Sequence, residues 1–157
     1  MSECPMTLKG KKLIEDELAQ LIKVDREAIK QAIQEARELG DLKENAEYAA
    51  AKERQSIIEG RIMDLQSKLA RARTVDITTI KTDKIVFGAT VKIFDQQKEI
   101  SSTYQIVGED EAMTDANKIS FTSPLGRALI GKETGDEITV KAPKGDLIYE
   151  VEDVKYL

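Results

Sequence analysis

The sequence predicts an α+β chain: an N-terminal antiparallel coiled-coil hairpin of two long helices, then a small C-terminal β-sheet domain with one short helix. Three observations carry this prediction. Apolar residues of the first half recur in alternating steps of three and four. A glycine-bearing break at residues 40–45 divides that half in two. Beyond Asp76 the repeat changes to the alternating, β-branched pattern of strands.

Helix one is expected from about Thr7 to Leu39, with Leu18, Ile22, Ile29, Ala32, Ala36 and Leu39 on its seam and Asp25 as a polar break. Helix two is expected from about Leu42 to Arg73, with Tyr48, Ala51, Ile58, Ile62, Leu65, Leu69 and Ala72 on its seam and Gln55 interrupting. At about 1.5 Å of rise per residue, each helix would be roughly 45–50 Å long. The link is too short for anything but an antiparallel hairpin. Gly40 suits a helix C-terminus that needs positive φ. Small residues near the bend (Ala32, Ala36, Ala51) would bring the helices close and make a slim tip.

Strands are expected at Thr90–Phe94, Thr103–Val107, Glu137–Lys141 and Leu147–Val151, with a turn at Pro143–Asp146 between the last two. Ser123 reads as the N-cap of the short helix and Pro124 as its first residue. Phe87, Phe94 and Tyr104 read as core. The expected boundaries are a hairpin over 1–76 with its tip at 40–45, a linker over 77–84, and a C-terminal domain over 85–157.

Composition narrows the function. The 157 residues are 41% hydrophobic and 34% charged, which suits a folded, soluble chain with extended helical surface. No apolar run approaches the roughly 20 residues of a membrane span, and no apolar core marks Met1–Gly10 for export, so a cytoplasmic location without membrane contact is expected. A single cysteine, Cys4, excludes an intramolecular disulfide, and the absence of histidine excludes Cys/His metal clusters. The net charge of -5 falls mostly in the second half. Neither half has the basic surface that free nucleic-acid binders use, so contact with nucleic acid is expected only inside a larger assembly.

The bend Gly40-Asp41-Leu42-Lys43-Glu44-Asn45-Ala46-Glu47-Tyr48 sets two acids at the end of the hairpin. One reading is architectural: Asp41 as N-cap and Glu44 as its capping-box partner. The other is chemical: two carboxylates three apart can share a hard cation such as Mg²⁺, whose remaining ligands a partner would supply. The two readings are compatible. Arg37, Lys43, Lys52 and Arg54 lie within a few turns and read either as solvated helix surface or as guides for an RNA backbone. Tyr48 reads as packing, or as a hydroxyl that orients an acid. Asn45 would support the first turn or hydrogen-bond Asp41.

Glu35 to Tyr48 resembles the tip signature of the bacterial Gre transcript-cleavage factors. The similarity continues through Glu59-Gly60-Arg61-Ile62, Phe87-Gly88-Ala89-Thr90-Val91, Ile106-Val107-Gly108, Ser123-Pro124 and Leu129-Ile130-Gly131-Lys132. It covers essentially the whole chain, and Leu42-Lys43 with the alanines after Tyr48 resembles the GreA branch. The resemblance implies an FKBP-like C-terminal domain, and a transcription elongation factor whose hairpin enters the secondary channel of bacterial RNA polymerase. It implies that Asp41 and Glu44 help hold the second Mg²⁺ of the polymerase active site and orient the attacking water. The polymerase would then cleave backtracked nascent RNA.

By the same resemblance the chain is an accessory factor and not an enzyme, monomeric, with no cofactor of its own, and a DNA-binding property is expected within that assembly. Arg37 and Lys52 would form the basic patch near the RNA; Lys43, Asn45 and Tyr48 would support the tip; Ser123 and Pro124 would meet the polymerase. Lys52 departs from the arginine usual at its position and loses the bidentate fork. Ala49 replaces a larger residue often seen there. Two other functions fit parts of the chain. A non-catalytic channel inhibitor would share the partner, although inhibitory relatives alter the tip acids that this chain keeps. A chaperone or prolyl isomerase would rest on the C-terminal fold alone, which does not imply a function.

Overall fold

In the computed structural model, residues 3–40 and 45–157 are described. By internal contacts the chain divides into two units, and the division differs from the expected 1–76 boundary. The first unit includes 12–72; the second takes 3–11 as well as 73–157. The early residues group with the second unit because strand β1 (Cys4–Thr7) pairs with β2 (Ala72–Val75), which a heptad reading does not anticipate.

Helix α1 (Leu8–Gln20), a π-helical turn (Leu21–Asp25) and α2 (Arg26–Glu38) follow β1. In the first unit this path lies antiparallel to α3 (Ala46–Ala70). The π turn corrects the expected seam. The buried residues on this strand of the hairpin include Ile14, Leu21, Ile29, Ile33 and Ala36. From Ile14 to Ala36 the steps through Leu21 and Ile29 are seven, eight and seven residues. An uninterrupted α-helix would carry that extra residue as a rotation of the whole apolar stripe. The π turn absorbs it locally, with Arg26 N–H bonding back to Leu21 C=O. Leu21 therefore takes the buried place expected of Ile22, which is half-buried.

Leu39, also expected on the seam, is 66% exposed because it caps α2 after the last packed turn. On α3 the expected positions hold, with Ala51, Ile62 and Leu65 buried and Tyr48, Ile58 and Leu69 half-buried, but the helix ends at Ala70 and not at Arg73, because Ala72 already belongs to β2. Burying each large aliphatic side chain is worth about 1.5–3 kcal/mol. Two forked ion pairs tie the arms: Arg26 donates to Glu59 at 2.8 and 2.9 Å, and Arg61 to Glu17 at 3.1 and 2.9 Å. The bidentate fork makes these more specific than ordinary surface pairs.

The second unit holds a five-stranded mixed sheet. Its strands are β3 (Thr90–Asp95), β4 (Ile100–Val107), β5 (Lys118–Ser120), β6 (Glu137–Ala142) and β7 (Gly145–Lys155), in the order β5-β4-β3-β7-β6. Only β4 and β5 pair in parallel. A bulge in β7 opposite Lys92/Ile93 bends the central pair. Ile85, Val91, Ile93, Ile106, Leu129 and Val151 are completely or almost completely buried in one core. Of the three aromatics expected in the core, half-buried Tyr104 packs on it, Phe87 is half-buried and meets the core-packed Phe121 edge-on at 5.6 Å, and Phe94 is half-buried. The expected single helix is α5 (Pro124–Leu129), accompanied by a one-turn helix α4 (Glu109–Ala112). Within the expected linker, Ile77–Thr79 forms a 3₁₀ turn seated on Gly88, where any Cβ would run into Ile77. No helix among the described residues is long and apolar enough to cross a membrane.

Candidate functional site: the hairpin tip

The arms end in caps that chemistry dictates. At α2 the Leu39 N–H bonds to Ala36 C=O at 3.2 Å and Gly40 N–H to Arg37 C=O at 3.4 Å. Gly40 then turns away at φ +121°, as expected for a glycine just past a helix end. Helix α3 begins at Ala46, four residues later than the heptad reading placed it. Its N-cap is Asn45, in an extended conformation, whose side-chain oxygen accepts the Tyr48 N–H at 3.0 Å. Asp41-x-x-Glu44 matches the capping-box spacing, which drew the expected cap four residues early. Asn45 is itself a favoured capping residue, and that signal was available in the sequence.

Asp41, Lys43 and Glu44 lie outside the described residues. Their donor chemistry can still be weighed. Two carboxylates offer hard oxygen ligands of the kind Mg²⁺ takes, but too few to complete its shell, so they fit a shared site and not a closed one. Among the described residues no cluster of acidic or Cys side chains could hold a metal by itself.

Around the cap the two flanks of the Ala51 seam position differ. On one, the Arg37 guanidinium lies over the Tyr48 ring at 5.9 Å, and Lys52, one turn further along, donates to Gln55 at 3.1 Å. Tyr48 is half-buried against Ile29, Ile33 and Ala51 and thus acts as packing that carries a cation on its face. Arg37 and Lys52, expected together as a basic patch, share this flank with Tyr48. Arg54 does not join them: with Glu35 and Glu47 it edges a shallow groove of about 450 Å³ on the other flank, floored by alanines. Small seam residues leave this space open.

Ser123 and Pro124 belong to the second unit. Ser123 caps α5, accepting Gly126 N–H at 3.0 Å and donating to Ser120 C=O at 2.6 Å, so its hydroxyl is occupied; Pro124 is exposed. A second constellation escaped the sequence reading. Glu111, 4% exposed, accepts from the Thr7 hydroxyl and pairs with Lys118 at 3.1 Å. Thr7 also accepts the Gly10 N–H at 2.9 Å, capping α1. A Cβ on Gly10 would meet Glu111 at 2.6 Å. Thr7-x-x-Gly10 at a helix start was visible, but its partner at position 111 was not.

A helical hairpin with capped arms at an acid-bearing bend, on one chain with a five-stranded mixed sheet, defines a two-part α+β factor without a metal cluster among its described residues. Residues 4–74 match the family described as "Transcription elongation factor, N-terminal", and residues 80–156 match "Transcription elongation factor, GreA/GreB, C-term". The transcription elongation factor GreA of Francisella philomiragia is 54% identical over 97% of this chain and 96% of its own length. That of Francisella tularensis subsp. novicida is 55% identical over the same shares. A solved structure, the GreA factor homolog 1 protein of Thermus thermophilus, is 27% identical with a TM-score of 0.45, covering 98% of this chain and 99% of its own. The chain belongs to the GreA/GreB family of transcription elongation factors.

Proposed function

We propose that this chain binds bacterial RNA polymerase in its secondary channel and stimulates the polymerase's own cleavage of backtracked nascent RNA. The observation that carries the proposal is the cap of α3. Asn45, and neither acid, is the N-cap of that helix, its side chain accepting the Tyr48 N–H, so the capping role first read for Asp41 is taken by another residue. Asp41 and Glu44 are the groups this reading assigns to a partner's active site, and family membership supplies the partner.

In this reading Asp41 and Glu44 complete the oxygen ligands of a second Mg²⁺ that the polymerase holds weakly, and they orient the attacking water. When bound, Mg²⁺ supplies Lewis-acid polarisation and lowers the pKa of water. Arg37, held over the Tyr48 ring, offers a guanidinium to a phosphate oxygen, and Lys52 adds a point charge on the same flank. Lys43 lies between the acids in sequence and adds positive charge for RNA. Pro124 contributes exposed surface for polymerase, while Ser123 shapes that loop by capping α5. The chain donates groups to another active site and needs no cofactor of its own; it works as a monomer.

The test is RNA cleavage in a stalled, backtracked bacterial transcription complex. Wild type should stimulate cleavage, and Asp41→Ala/Glu44→Ala should abolish stimulation while still binding polymerase. A double mutant as active as wild type would sink the assigned mechanism. Wild type that binds without stimulating would make the chain a channel inhibitor.

A further inference from the structure

At the open end of an antiparallel hairpin, the last carbonyls of one helix and the first N–H groups of the other lack helical partners. A primary amide is among the few short side chains that can serve both, since it carries an acceptor oxygen and two N–H donors. Asn45 is such a residue in the position to do so. Its oxygen accepts the Tyr48 N–H of α3 at 3.0 Å, and its nitrogen donates to the carbonyl of Ala36 in the last turn of α2. Its own carbonyl accepts the Ala49 N–H at 3.1 Å. The Ala36 carbonyl also accepts the Leu39 N–H at 3.2 Å within its own arm, so the Asn45 bond is the one that crosses between arms, and with Ala36 only 3% exposed water is a poor substitute for it.

We infer that Asn45 is a positioning residue: a clasp that fixes the end of α2 to the start of α3, and so sets the span from which Asp41 and Glu44 act. The inference rests on the proposed carboxylate donation. Chain connectivity tethers residues 41–44 between Gly40 and Asn45. The Asn45 bridge fixes the separation of the two arms that this short segment must span. Catalytic groups lose effect with displacements near 1 Å, so closing that span is a kinetic matter as well as one of stability.

The residue type carries the argument further. Aspartate and serine cap helices about as well as asparagine. Aspartate, however, has no donor for Ala36, and the serine hydroxyl is too short to bridge both arms. Asn45→Asp and Asn45→Ser therefore retain the cap and remove the clasp, one with added charge and one without.

Two readouts on the full chain test this. The first is the distance distribution between spin labels at Leu39→Cys and Glu47→Cys in a Cys4→Ser background, by pulsed electron resonance. The second is maximal cleavage rate and half-saturating factor concentration in the backtracked complex. The clasp predicts a broadened distribution in both variants. It also predicts a maximal rate lowered about tenfold or more, with half-saturation within about twofold of wild type. Distances and rates like wild type in both variants overturn it. So does loss confined to Asn45→Asp, which would be an effect of charge, or a broadened distribution with unchanged rate. If wild type itself fails to stimulate, the proposed function falls; the clasp is then judged on the distances, and an unchanged distribution overturns it.

Discussion

Tyr156 shows how one side chain near the C-terminus holds the edge of a domain. Its hydroxyl donates to Lys84 C=O at 2.7 Å and accepts the Val86 N–H at 3.1 Å, anchoring the segment that leads into the sheet. Burial raises its pKa, with the Val86 hydrogen bond acting in the opposite sense. The folded state therefore holds the phenol proton more tightly than the unfolded state does. Stability from this group is complete below the ordinary tyrosine value of about 10. It is lost as pH rises through the higher folded value. Thermal midpoints measured from pH 8 to 11 should fall at the alkaline end, and Tyr156→Phe should flatten part of that fall while lowering the midpoint at neutral pH. An unchanged alkaline slope in Tyr156→Phe would show that other groups control it.

Among the elements, the π turn at Leu21–Asp25 is the one whose logic can be edited. It exists because the buried positions on either side are one residue too far apart for a heptad. Deleting the exposed Val24 should turn it into ordinary α-helix, with helical circular dichroism and thermal midpoint close to wild type. Deleting Lys30, which sits among regular turns, moves Ile29 off the seam if the π turn is lost and moves Ile33 and Ala36 off it if the π turn is kept. That loss should cost about 1.5–3 kcal/mol, read by urea unfolding. Equal damage from both deletions would mean that the turn is needed for itself. The forked pairs Arg26–Glu59 and Arg61–Glu17 keep register in the same hairpin, since a slip of one residue would break both pairs of bonds at once.

For the molecule as a whole, the early residues matter to a domain far from them in sequence. Strand β1, the Thr7 hydroxyl and Gly10 complete the second unit against β2 and Glu111, and a Cβ on Gly108 would press on the Pro5 carbonyl at 3.2 Å. A chain starting at Lys12 leaves Glu111 and Lys118 without the Thr7 bond and β2 without its partner. Its second unit should lose about 1–3 kcal/mol of stability in urea, followed by tyrosine fluorescence. No change would show that this segment rests on the domain without holding it.

The sequence by itself determined the helical hairpin, most of the α3 seam, four of the five strands of the main sheet, the Ser123–Pro124 helix start and the family. Each of these is written in local spacing: a heptad, an alternation, a cap or a contiguous motif. Tertiary structure decided the π turn, because burial on a partner helix selects Leu21 over Ile22. It decided the cap of α3, because two overlapping capping patterns compete at 41–45 and Asn45 also meets Ala36 across the hairpin. It separated Arg54 from Arg37 and Lys52, because helix rotation sends neighbours in sequence to opposite flanks. It also assigned residues 3–11 to the second unit, through a strand pair and a buried carboxylate. Their partners lie some 70 to 100 residues away in the chain, and no local period records them.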